Sequence, residues 1–177
     1  MYLPSVRIIN LLAAMSAVGL ILFAILYLQN RLGLPPCPLC IFQRVGFMGV
    51  ALITLVAALH GPGSRGLRVY GGLGLLASLA GAGVAVRHLW LQLGSADNFA
   101  SCGPGLSFMM DNYPMADLLN AVFRGSGDCG AQHWTWLGVS IPGWSLVAFL
   151  GYAVLTGAQL IWGDVSARWN RRHTDRF

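Results

Sequence analysis

Four long uncharged apolar runs, over residues 8–28, 45–60, 69–86 and 144–162, constrain this 177-residue chain more than any other feature. About 20 residues of α-helix cross a hydrocarbon core ~30 Å thick. Ile41 and Phe42 extend the second run toward its N-terminus. A buried helix of a soluble domain is the competing reading of any single run. Four of them leave too little chain to cover so much apolar surface. The first run, preceded by Arg7, could also be read as a signal peptide, but its 21 residues are too long for that and no convincing cleavage site follows.

Composition agrees. Only 10% of residues are charged, against about 25% in an ordinary soluble domain. The expected fold is therefore all-α: a four-transmembrane-helix bundle in a single domain, with spans at about 8–28, 42–60, 69–88 and 143–162. The third run is rich in Gly, Ala and Ser, which suits close helix approach in lipid.

The net charge of +5 does not point to nucleic acid. All the basic residues are arginines, scattered near the ends of the apolar runs, whereas a phosphate-binding surface needs a concentrated patch. An even number of spans puts both termini on one side. That side collects Arg7, Arg65, Arg68, Arg168, Arg171, Arg172 and Arg176, while the other has Arg31, Arg44, Arg87 and Arg124. The positive-inside rule places the richer side in the cytoplasm. The loops at about 29–41 and 89–142 then face outward, and they hold all four cysteines: Cys37, Cys40, Cys102 and Cys129.

Paired cysteines in an oxidising compartment are usually structural disulfides. The C-x-x-C of Cys37-Pro38-Leu39-Cys40 argues for more, because closing so small a loop adds little stability. Such a motif marks redox chemistry or metal binding. Zinc or copper needs further ligands, for which His88 and His133 are the candidates. Pro38 suits the first helical position and makes Cys37 the expected N-cap. Cys40 then lies at the third position, where unsatisfied N–H groups and the helix dipole favour a thiolate. Arg44 follows one turn later on the same face. A snorkelling boundary arginine is the plainer reading of Arg44, but its neighbour is a reactive thiol. Cys40 sits where water meets lipid, within reach of a lipid-soluble electron acceptor, which turns a redox motif into a quinone hypothesis.

The second outward loop is too long for a simple connection. Met115, Leu118, Leu119, Val122 and Phe123 recur at helical spacing. They predict one short amphipathic helix, lying on the membrane surface or packed as a lid on the bundle. Cys102 precedes it among Ser, Gly and Pro, and Cys129 follows it in Ser126-Gly127-Asp128-Cys129-Gly130. Flexible flanks let these sulfurs meet each other or change partners, as thiol–disulfide exchange requires.

CPLCIFQR at 37–44, HLWLQL from His88, SGDC at 126–129 and W-x-x-L-G-x-x-x-P from Trp134 to Pro142 together resemble the DsbB family of disulfide bond formation proteins. Vitamin K epoxide reductases share the chemistry, but their C-x-x-C normally follows the loop cysteines. The DsbB resemblance implies a bacterial inner-membrane oxidoreductase with redox disulfides Cys37–Cys40 and Cys102–Cys129. It implies a periplasmic DsbA-like thioredoxin-fold oxidase as partner, a quinone (ubiquinone or menaquinone) as acceptor and no resident metal. Cys102 would take the mixed disulfide with the partner, Cys129 would attack Cys37, and Cys40 would be freed toward the quinone. Arg44 and His88 would line the quinone site. Gln43 stands where an acidic residue can occur in the family, and its amide cannot act as a base at neutral pH.

Overall fold

The computed structural model of the chain describes residues 6–33, 37–94 and 135–174, with side chains followed to residue 161 except at 93, 94 and 136. Helix α1 spans Val6–Phe23 and continues as a π-helix over Ala24–Arg31. Helix α2 spans Pro38–His60, α3 spans Ser64–Gly94 and α4 spans Ile141–Thr174. Among the described residues, four stretches are long and apolar enough to cross a membrane: Val6–Arg31, Pro38–His60, Ser64–Gln92 and Ile141–Ile161. This is a multi-pass membrane protein. The expected surface helix around 115–124 falls outside the described residues.

The helices alternate in direction. Arg7, near the start of α1, reaches the end of α2, donating from Nε to Ala58 O at 3.0 Å and from Nη2 to Leu59 O at 3.3 Å. The last carbonyls of a helix lack internal donors and carry partial negative charge, so a guanidinium there satisfies both needs. Gly61 closes α2 in the left-handed region (φ 57°), its N–H donating to Ala57 O at 3.1 Å. Along α3 and α4 the numbering runs oppositely: Gly71 abuts Thr156 and Leu160, and Gly81 abuts Phe149.

The core lies between α1, α2, α3 and α4 and is built from small residues around stacked rings. Ala13, Ala17, Ala51, Ala82 and Ala85 surround Phe47, Phe149 and Tyr152. The Phe47 and Phe149 rings stack at 4.1 Å, 11° from parallel. In lipid, close van der Waals packing replaces the hydrophobic effect as the force between helices. The outside is correspondingly greasy, with Met15, Leu52, Leu59, Leu76 and Val154 all exposed.

Several polar residues inside the spans are satisfied by the helix's own backbone or by a neighbouring helix. Thr54, Ser78 and Thr156 each donate to the carbonyl four residues earlier at 2.7–2.8 Å. Gln159 Nε2 donates to Asn10 Oδ1 at 3.0 Å, and Ser16 and Tyr152 hydroxyls lie 2.8 Å apart, so α4 is fastened to α1 at two levels. A leftover donor in hydrocarbon would cost several kcal/mol by itself.

A two-residue hairpin precedes α4. Thr135–Trp136 pairs antiparallel with Val139–Ser140. Leu137 (φ 54°) and Gly138 (φ 77°) form its turn, and two positive φ values in sequence match the twist of paired strands.

A Cβ added at Gly81 would stand 2.3 Å from Phe149 Cε1, a ring with no exposed surface and no room to retreat. Gly81→Ala is expected to destabilise the detergent-purified protein by about 1–3 kcal/mol, read as a lower thermal unfolding midpoint. Gly83→Ala, where nothing lies within 4 Å, is expected not to lower it.

Candidate functional site

The site forms where α2 begins and α3 ends. Pro38 occupies the first turn of α2, where its fixed φ is suited and its missing N–H costs nothing. Cys37 is the N-cap, with extended backbone (φ −71°, ψ 161°). That geometry folds its side chain back over the helix end. Its Sγ accepts from the Cys40 N–H at 3.2 Å, and its carbonyl accepts from Ile41 N–H at 3.2 Å. A sulfur thus fills the place usually held by a Ser or Asp oxygen.

The helix end therefore acts on Cys37, whereas the sequence points its stabilising effect at Cys40. The reason is capping geometry: the residue before the helix turns its side chain onto the third amide, and Cys40 supplies that amide. Cys40 itself is half-buried and packs against the cluster of Cys37, Leu39 and Leu91.

Helical spacing sorts the neighbours into two rows. Leu39, Gln43 and Phe47 run down the buried row of α2, while Cys40 and Arg44 run down a half-buried row. His88, on the last turns of α3 and only 3% exposed, meets the buried row. Its Nε2 lies 3.8 Å from Cys37 Sγ, and its Nδ1 lies 3.2 Å from Gln43 Nε2. With the Gln43 amide donating to Nδ1, the ring proton sits on Nε2 and donates to the Cys37 sulfur. The sulfur then faces two donors, a backbone N–H and an imidazole N–H, which suits the anionic form. The ligand atoms of Cys37, Cys40 and His88 all lie within 4.8 Å of one another.

Arg44 is held from the first span. Its Nη1 donates to Gln29 Oε1 at 3.0 Å and its Nη2 to Ala24 O at 3.4 Å. Both acceptors belong to the π-helical segment, whose i to i+5 ladder is seen in Leu32 N–H donating to Tyr27 O at 3.1 Å. Widened turns of this kind are frequent at functional sites. Gln29 has no motif around it, and its one signal in the sequence is a polar residue closing an apolar run. Gln43 is legible as an odd polar residue in a span and His88 through its motif, but their pairing is not.

Of the residues singled out by sequence, the structure brings Cys37, Cys40, Gln43 and His88 together and sets Arg44 one turn below Cys40. Cys102 and Cys129 lie outside the described residues, as does His133.

Comparison with known proteins identifies the family. The family model described as Disulfide bond formation protein DsbB matches residues 6–159. Three similar proteins carry the name Disulfide bond formation protein B. That of Saccharophagus degradans is 48% identical over 154 residues, covering 87% of this chain and 92% of its own. That of Aromatoleum aromaticum is 53% identical over 129 residues, covering 73% and 77%. That of Methylococcus capsulatus is 47% identical over 151 residues, covering 85% and 92%. A redox-type C-x-x-C capping a membrane-crossing helix and a match over most of the chain converge: this chain belongs to the DsbB family of disulfide bond formation proteins.

Proposed function

We propose that this chain re-oxidises a periplasmic DsbA-like dithiol oxidase and passes the electrons to a membrane quinone, so that disulfides are made de novo. The observation that carries the proposal is Cys37 and Cys40 at the N-terminus of a membrane-crossing helix, with His88 against the first sulfur. A thiol pair there can meet a soluble protein from one side and a lipid-soluble oxidant from the other. The excess of arginine on the face shared by Arg7 and the α2–α3 turn supports an inner-membrane orientation with both termini cytoplasmic and the cysteines outward.

The donor set fits a quinone. Arg44, half-buried one turn below Cys40 and braced by Gln29, offers a fixed cation toward a carbonyl oxygen that gains negative charge. A guanidinium held by neutral acceptors keeps its whole charge for that purpose. His88 lines the same end, with its ring nitrogens engaged by Gln43 and Cys37. Its geometry favours acting on the sulfur. Bound quinone supplies a terminal acceptor for two electrons and two protons.

The residues divide the remaining work. A thiolate of the partner attacks Cys102 of a Cys102–Cys129 disulfide and releases Cys129. Cys129 attacks Cys37, breaks the Cys37–Cys40 bond and leaves Cys40 as thiolate. The Cys40 N–H and His88 fix Cys37 for that attack, because the incoming sulfur must approach along the S–S axis. The partner's second thiolate attacks its own sulfur in the mixed disulfide and expels Cys102, leaving the partner as a disulfide. Cys102 attacks Cys129, breaks the Cys37–Cys129 bond and restores Cys102–Cys129, so that Cys37 and Cys40 hold the two electrons that a bound quinone would accept with two protons.

The test is quinone reduction by purified full-length protein supplied with a reduced thioredoxin-fold oxidase. Cys40→Ser is expected to abolish quinone reduction while still trapping the partner, and Cys102→Ser to abolish trapping. Full turnover in either variant would refute the relay. Arg44→Ala removes a charged donor worth about 1.5–3 kcal/mol, so the apparent KM for quinone should rise at least ~10-fold. An unchanged KM reduces Arg44 to an anchor at the membrane boundary.

A further inference from the structure

The cluster of Cys37, Cys40 and His88 has the chemistry of a metal site as well as of a redox centre. Two thiolates and an imidazole are the ligands of a borderline-soft cation. Zn–S bonds of about 2.3 Å and a Zn–N bond of about 2.0 Å, set tetrahedrally, put ligand atoms roughly 3.5–3.8 Å apart. Cys37 Sγ and His88 Nε2 already stand at 3.8 Å, and all three ligand atoms lie within 4.8 Å of one another. Closing onto a metal therefore needs shifts of an ångström or less.

Charge also fits. Two thiolates balance a divalent cation, and a neutral imidazole adds nothing, so the complex is neutral where charge is costly. Arg44, the nearest cation along α2, is turned to Gln29 and Ala24 O on the first span. The orienting group is present too. Metal-bound histidines are steadied by a hydrogen bond at the other ring nitrogen, and Gln43 meets His88 Nδ1 at 3.2 Å. An amide serves either tautomer. Turned one way it donates to Nδ1 and leaves the proton on Nε2 for the sulfur. Turned the other way its oxygen accepts from Nδ1–H and leaves the Nε2 lone pair for a metal.

We propose that the reduced form of this site, Cys37 and Cys40 as thiolates with His88 Nε2, binds one thiophilic divalent cation of the zinc class, with an open fourth position. Binding releases the thiol protons to solvent and oxidises nothing. It occupies both sulfurs, so the cation holds the chain in the dithiol state and blocks re-oxidation. The disulfide form has no thiolates to offer and does not bind. The site is thus redox-gated, and cation excess in the outward compartment inhibits the enzyme. This last consequence rests on the proposed thiol-oxidase reading, while binding itself does not.

The test uses purified full-length protein, reduced and freed of reductant, titrated with Co²⁺ as a spectroscopic stand-in for zinc and with no quinone added. A Cys102→Ser/Cys129→Ser variant removes the other sulfurs. One Co²⁺ per chain is expected, with thiolate-to-cobalt charge-transfer absorbance that disappears when Zn²⁺ displaces it. Diamide-oxidised protein should show none. His88→Ala should weaken binding at least ~10-fold while keeping thiolate absorbance, and Cys37→Ser should remove the one-per-chain signal. Absence of that absorbance in the reduced variant, or equal affinity in His88→Ala, overturns the site. Because no quinone is present, that failure leaves the electron-transfer reading standing. Conversely, cobalt binding without any quinone reduction by the parent protein would keep the site and sink the oxidase.

Discussion

The rest of the structure depends on a sulfur that serves as a helix cap. Cys37 ends the approach to α2 in an extended conformation, and its Sγ takes the Cys40 N–H at 3.2 Å. A helix start has donors to spare and a partial positive charge. Put at the N-terminus of a membrane-crossing helix, that charge is only weakly screened by solvent. The cap therefore performs two tasks with one contact: it satisfies a backbone amide at the end of a membrane-crossing helix and favours negative charge on the sulfur. His88 adds a second donor from α3, so the sulfur is held by two helices at once.

Holding it there requires a rigid frame. The far end of α2 is capped by Arg7 and closed by Gly61. The middle is fixed by Phe47 against Phe149, with Gly81 admitting the second ring. Asn10 with Gln159, and Ser16 with Tyr152, tie α4 to α1. Each contact restricts sliding between neighbouring helices, which would separate Cys37 from His88. Arg44 is the exception in kind, since its support comes from a π-helical stretch of the first span. The guanidinium is thus braced from the first span, whereas the sulfur is braced from α3.

Much of this was legible in the chain. Hydrophobic length alone locates the four helices, because a bilayer demands it. Pro38 marks the start of α2 and makes Cys37 its cap by local geometry. The glycines and alanines of the third run announce close packing, although not that Phe149 fills the gap at Gly81. What was hidden is tertiary or non-standard. Nothing in AILYLQNR separates a π-helix from an α-helix, since both are built from the same kinds of residue. The hairpin at 135–140 lacks the Asn-Gly signal and places Leu137 at positive φ instead. Gln43 and His88 lie 45 residues apart, and no pattern links them. The cap at Cys37 was legible, but not that its sulfur takes the Cys40 amide, so the stabilising effect read onto Cys40 falls on Cys37 instead.

The central claim is that electrons leave through the sulfur pair at the helix end. A single-turnover experiment tests it most directly. Fully reduced protein is mixed with a soluble quinone analogue without any partner, quenched in acid at short times, alkylated and mapped by mass spectrometry. The account predicts that the Cys37 and Cys40 thiols vanish together, in step with one quinone reduced per chain and ahead of Cys102 and Cys129. Earlier loss of the Cys102 and Cys129 thiols, or loss of Cys37 and Cys40 at the same rate without quinone, would contradict it.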